Sequence, residues 1–155
     1  MRRLLPFIAT MLIAAFVVGT TSLIGGAGNG GESFTVVSTT LRSQEVDVGA
    51  AGESPGDFFI EKAALWNEAE TDRVGLDYVK CTLDFGTSAI CVTALRLFGR
   101  GQLTGTGVVD FSSQSFAFPV TGGTGDFQDV TGQVRVTFES QTRAIVAFHL
   151  SGTTG

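Results

Sequence analysis

An all-β fold of eight antiparallel strands, closed as a barrel or stacked as a sandwich, is what this sequence predicts, and three observations carry the prediction. Beyond Gly31 the chain breaks into eight short runs rich in Val, Phe, Leu, Ile and Thr, separated by turn residues. No apolar stripe with the ~3.6-residue period of a helix persists for three turns. The connections are of hairpin length, which antiparallel neighbours need and parallel ones cannot use.

The runs follow in order. Ser33–Leu41 is the first, and Ala50–Gly56, with Pro55, reads as a loop. Asp57–Trp66 is the second, ended by the polar turn Asn67–Asp72. Arg73–Leu83 and Ser88–Phe98 flank Asp84-Phe85-Gly86-Thr87, a hairpin turn. Gly99–Gly101 turns the chain into Gln102–Phe111, and Ser115–Val120 is the sixth run. Thr121–Asp126 reads as a glycine loop. Val130–Phe138 and Thr142–Leu150 are joined by a tight turn at Glu139–Gln141. In the second run both faces are apolar. Phe59, Ala63 and Leu65 share one face with Glu61, while Phe58, Ile60, Ala64 and Trp66 share the other with Lys62. A strand dry on both sides needs a barrel interior on one and a partner on the other, so an oligomer is expected.

Composition narrows the class. A chain of 155 residues makes one domain of ordinary size. Charged residues are 16% of it, below the ~25% of average proteins, and there are 13 Phe, which together exclude a disordered chain. Ten basic residues face fifteen acidic ones, a balance that repels a phosphate backbone, so no nucleic-acid partner is expected. Residues 1–28 have the layout of a secretory signal peptide: Arg2 and Arg3, then the apolar run Leu4–Val18, then small residues. An uncleaved anchor is the alternative, because continuing through Leu23 and Ile24 gives a stretch long enough to span a bilayer. Residues 29–32 read as a linker and 33–155 as the barrel domain, placed outside the cytoplasm, with no stable membrane association once the signal is cut.

The residues that carry chemistry are few. Cys81 and Cys91 lie symmetrically about Gly86, so the hairpin sets them opposite each other and a disulfide is expected. A nucleophilic thiol is the alternative. The glycine run Gly122-Gly123-Thr124-Gly125 is followed by no Gly-Lys-Ser/Thr and opens no helix, so it is read as a turn and not a phosphate cradle. The single histidine, His149, sits between Phe148 and Leu150, in the pattern of a packed strand position. One histidine and two paired cysteines leave no metal site, and no cofactor is expected.

The segment Gly101-Gln102-Leu103-Thr104-Gly105-Thr106-Gly107, then Phe116–Val120, then Thr121-Gly122-Gly123-Thr124-Gly125-Asp126-Phe127 with Gly132-Gln133-Val134, resembles the allene oxide cyclase barrel superfamily, which includes the dirigent proteins. Gly56-Asp57, Leu65-Trp66, Arg73-Val74-Gly75 and Cys81 fall at spacings similar to the cyclase branch. The resemblance implies an eight-stranded antiparallel barrel of the calycin type around an apolar cavity, commonly a homotrimer. It implies a cofactor-free cyclase or isomerase, or a protein that steers phenoxy radicals made by another enzyme; related bacterial barrels are associated with cycloadditions. The cyclases' glutamate and asparagine of the first strand are missing from Thr35–Thr40. Their second-strand asparagine falls at Ala63, their pocket cysteine at Cys81 and their pocket tyrosine near Phe111.

If that alignment holds, Glu61, sharing parity with Ala63, and Asp77, sharing parity with Cys81, enter the lumen as candidate catalytic acids. The expected pocket is lined by Phe59, Ala63, Val79, Leu95 and Phe111 and takes a small apolar or aromatic molecule. Gly105 and Gly107 are expected to leave volume for it. Three functions remain open at this point: a binding or steering barrel, a cyclase acting by shape selection, and a structural barrel packed solid.

Overall fold

The computed structural model describes residues 31–49 and 51–152, so the targeting segment lies outside the described residues. Eight strands follow one another: β1 Glu32–Val46, β2 Phe58–Trp66, β3 Arg73–Leu83, β4 Ser88–Leu97, β5 Gly101–Asp110, β6 Ser115–Gly125, β7 Thr131–Ser140 and β8 Arg143–Ser151. Each pairs antiparallel with the next, and β8 pairs with β1, closing the barrel. Closure pairs the two outer strands of the meander with each other, which an open sheet would leave exposed. β4 shows why the sequence folds so: Ala89, Cys91, Thr93, Leu95 and Leu97 are buried, and the residues between them face outward.

Two elements depart from the sequence reading. β1 runs on past Leu41 to Val46. A bulge between Thr40 and Arg42 bends it, and beyond the bulge it pairs only with β2. This arm stands above the barrel rim, so its residues Arg42-Ser43-Gln44-Glu45 carry no apolar alternation to betray a strand. The glycine loop is also strand: β6 continues to Gly125, pairing with β7 through Pro119 and with β5 from Val120 onward. The turn comes after it, at residues 126–129. Glycine is needed there because a Cβ on Gly123 would run into the backbone of Phe127, whose ring plugs that end of the barrel with no exposure at all.

The plugged end is packed solid. Leu65, Leu95, Leu97, Leu103, Phe127 and Phe148 form its centre. Arg100 closes it from below. Its Nη2 donates to Glu32 Oε2 at 2.7 Å and its Nε to Asp126 Oδ2 at 3.2 Å, while the guanidinium lies 4.7 Å above the Phe127 ring. The volume expected at Gly105 and Gly107 is not free, and that expectation is corrected: Phe118 lies across both glycines, and a Cβ on Gly107 would approach its Cβ to 2.8 Å. The glycines admit a ring in place of leaving a hole.

Cys81 and Cys91 are register partners on β3 and β4 and form a disulfide, with Cα atoms 4.0 Å apart. The outer face across β2 to β5 is unusually apolar. Ile60, Ile90, Val92 and Val108 are exposed there, while Trp66 is half-buried and donates from Nε1 to Thr39 Oγ1. His149 faces outward on β8, with Nδ1 3.3 Å from Ser33 Oγ.

Candidate functional site

The other half of the lumen is hollow. Strand alternation sends Phe59 and Glu61 inward from β2, Asp77, Val79 and Cys81 from β3, and Cys91 and Thr93 from β4. β6 and β7 supply Phe116, Phe118, Val136 and Phe138, and the small residues Ser38 and Ala144 complete the wall without filling the centre. The enclosed cavity measures about 90 Å³. This is smaller than the ~150 Å³ apolar cavity that takes up benzene, so a ring seated here extends toward the rim.

Phe59 and Phe111 stand between this cavity and the rim, their rings 5.7 Å apart and tilted by 55°. Both also wall a depression of about 420 Å³ under the β1–β2 arm and one of about 450 Å³ between the β5–β6 and β7–β8 turns. Access to the lumen therefore passes beside this pair. Farther in, Phe116 packs against Phe118 and Phe138 with ring centroids 6.1 and 5.6 Å away.

Two carboxyl groups enter this apolar space. Asp77 sits at its floor, in register with Ala63 on β2 and Leu95 on β4, and is only 9% exposed. Thr93 Oγ1 donates to its Oδ1 at 2.6 Å. Burial pushes its pKa up to about 6; the Thr93 hydrogen bond holds it down, and the neighbouring Glu61 charge raises it again. Glu61 lies nearer the rim and accepts from Thr40 Oγ1 at 3.0 Å. Burial raises its pKa too, against the opposing Thr40 bond. The cavity wall holds no lysine, arginine or histidine to balance them. An acid poised near neutrality in a dry, aromatic chamber can give or take a proton, or accept a hydrogen bond from a ligand.

Of the residues singled out from sequence, Phe59, Glu61, Asp77, Val79, Phe111 and both cysteines wall the cavity. Ala63 and Leu95 lie beside Asp77 in the packed layer below and are not part of the wall. Sequence reasoning missed Thr93 and the whole β6–β8 side. Thr93 carried a signal, since it shares the inward parity of Cys91 and Leu95. Phe116 and Phe118, Val136 and Phe138, and Ala144 and Val146 likewise alternate on their strands.

No family model matches the sequence, and no curated protein does. Solved structures do match the fold. A pyocyanin demethylase superposes with a TM-score of 0.68 at 19% identity, covering 77% of this chain and 100% of that one. The Diels-Alderase AbmU from Streptomyces koyangensis gives 0.66 at 13% identity, over 79% of this chain and 64% of that one, so this chain spans about two thirds of its length. The pterocarpan synthase dirigent protein PsPTS1 gives 0.65 at 16% identity, over 81% and 97%. At such identities the likeness establishes the fold: the barrel is the one found in dirigent proteins and in cyclase barrels.

Proposed function

We propose that the protein is a secreted barrel that binds a small apolar or aromatic molecule in the open half of its lumen and fixes its conformation, in the manner of a dirigent protein. The observation that carries this reading is the aromatic cavity itself, entered past Phe59 and Phe111 and floored by Asp77. The Cys81–Cys91 disulfide is consistent with an oxidising compartment. The exposed Ile60, Ile90 and Val92 support contact with further copies through the outer face, and the resemblance supplies the number three. Sedimentation of the mature protein should give the trimer, and a monomer at micromolar concentration contradicts that part.

A neutral fluorescent probe, N-phenyl-1-naphthylamine, tests the cavity. It should bind the folded protein and lose affinity in Ala144→Leu, which grows into the cavity. It should bind unchanged in Gln128→Ser, in the exposed turn at the plugged end. Binding that ignores Ala144→Leu sinks the reading and favours a purely structural barrel.

Asp77 favours a second reading, a cofactor-free cyclase or isomerase in which this carboxyl acts as general acid or base. Here Asp77→Asn should reduce turnover while sparing binding. The steering role is separable from it. Phenoxy radicals generated by an independent one-electron oxidant should couple to an altered product distribution when the protein is present, and an unaltered distribution counts against steering.

A further inference from the structure

Among the described residues, the charged side chains that wall the route into the lumen are acidic, and one of them is paired with an arginine at the rim. Glu45, Asp47 and Glu53 wall the depression under the β1–β2 arm, Glu139 walls the one on the opposite side, and Glu61 and Asp77 follow inside. Arg143 is that partner, bound to Glu139, and the cavity itself holds no basic side chain among the described residues. Lys62, Lys80 and Arg42 line a groove on the outer face of the sheet, which Glu61 also borders, but no hydrogen bond or ion pair joins them to it. Arg100 is held by Glu32 and Asp126 at the plugged end, and Arg143 is held by Glu70 and Glu139.

Buried charges in folded proteins are ordinarily paired, because an unpaired one forfeits its hydration without return. Here two carboxyls share one apolar chamber, and Thr93 and Thr40 each give a single neutral hydrogen bond. A cation would complement both carboxyls. Five phenylalanines, Phe59, Phe111, Phe116, Phe118 and Phe138, share the rest of the wall with smaller apolar side chains, and their ring faces also attract positive charge. A carboxylate ligand would instead bring a third negative charge into the same space.

From this arrangement we infer that the cavity takes an aromatic ligand bearing a protonated nitrogen, with the ring among Phe59, Phe116 and Phe138 and the ammonium or iminium directed at Asp77 and Glu61, and that it rejects aromatic carboxylates. The inference rests on the cavity being a binding site, as proposed above, and adds the charge of its occupant. The groups that face Asp77 are Glu61 from β2 and Thr93 from β4; the other strands present only apolar side chains and Ser38 to the chamber. No titrating group besides the two carboxyls therefore complicates the pH response.

Three ligands of one shape test it: benzylamine, benzyl alcohol and benzoate, each measured by displacement of N-phenyl-1-naphthylamine. Benzylamine should bind about tenfold more tightly than benzyl alcohol, the order expected for one buried charge pair, and benzoate should not displace the probe. In wild type, the benzylamine affinity should rise between about pH 5 and about pH 7.5 as Asp77 ionises, while the alcohol affinity does not. Asp77→Asn, checked for folding by circular dichroism, should bring the amine down to the level of the alcohol. Glu61→Gln should do so in part, and the wild-type pH series decides the matter should Asp77→Asn not fold. Equal affinity of amine and alcohol in wild type, or a preference that survives both substitutions, overturns the inference and leaves the cavity reading standing. Failure of the probe and all three ligands to bind overturns both together.

Discussion

The two halves of the barrel are built from the same eight strands with the same alternation, yet one is solid and the other hollow. In the solid half the inward positions carry Leu65, Leu95, Leu97, Leu103 and Phe148, and Phe127 plugs the end. In the hollow half the same strands offer Cys81, Cys91, Thr93, Ser38 and Ala144, which are too small to meet across the lumen. Asp77 marks the boundary, with Ala63 and Leu95 beside it. Topology does not decide whether an eight-stranded barrel encloses a site; the side-chain volume at each inward layer does. One half supplies the stability that lets the other stay unfilled.

The largest effect should come from breaking the solid half. Phe148→Ala should cost about 3–5 kcal/mol in denaturant melts, whereas Phe138→Ala, half-buried at the cavity, should cost about 1–2 kcal/mol. Equal losses would mean that the two halves are packed alike. Next comes the staple of the hollow half. Reducing Cys81–Cys91, which closes a short hairpin, should cost about 2–3 kcal/mol and be read as a lower melting temperature.

Asp77 should show the opposite sign. Its folded pKa, about 6, lies above the ordinary 3.8, so between these values the native state holds a proton that the unfolded state has lost. Stability should therefore fall as pH rises from about 4 to about 6 and level off above. Asp77→Asn should remove that slope and stabilise the protein at neutral pH by up to about 3 kcal/mol. A neutral-pH loss of stability, with the slope intact, would place Asp77 outside the dry lumen. The smallest contrast is steric. Ala144→Leu should be tolerated within about 1 kcal/mol because it enters open volume, while Ala63→Leu, a layer deeper, should cost about 1–3 kcal/mol by overpacking.

Much of this was legible in the sequence. Strand count and order follow from alternating runs and hairpin spacings, closure into a barrel follows only from the resemblance, and the disulfide follows from two cysteines symmetric about Gly86. Parity alone brings Glu61 and Asp77 to one interior. What stayed hidden depends on distances between strands far apart in the chain. That Phe118 folds over Gly105 and Gly107 is fixed by the approach of β6 to β5, and no local pattern records it. The glycine segment hides its strand because it has no side chains to alternate, and its pairing is set by Phe127 returning beneath it. Ala63 and Leu95 have the parity of pocket residues but sit a layer too deep, since parity fixes the face and not the height along the barrel.

The central claim is that the hollow half is an apolar chamber in which two carboxyls meet a bound ligand, and the carboxyl carbon of Asp77 reports on it directly. Its ¹³C resonance should be titrated in the free protein and again with saturating benzylamine. The account predicts a midpoint near 6 in the free protein and a clear fall when the amine is bound. A midpoint at the ordinary 3.8, unmoved by the amine, would show that water fills the chamber and that Asp77 meets no ligand there.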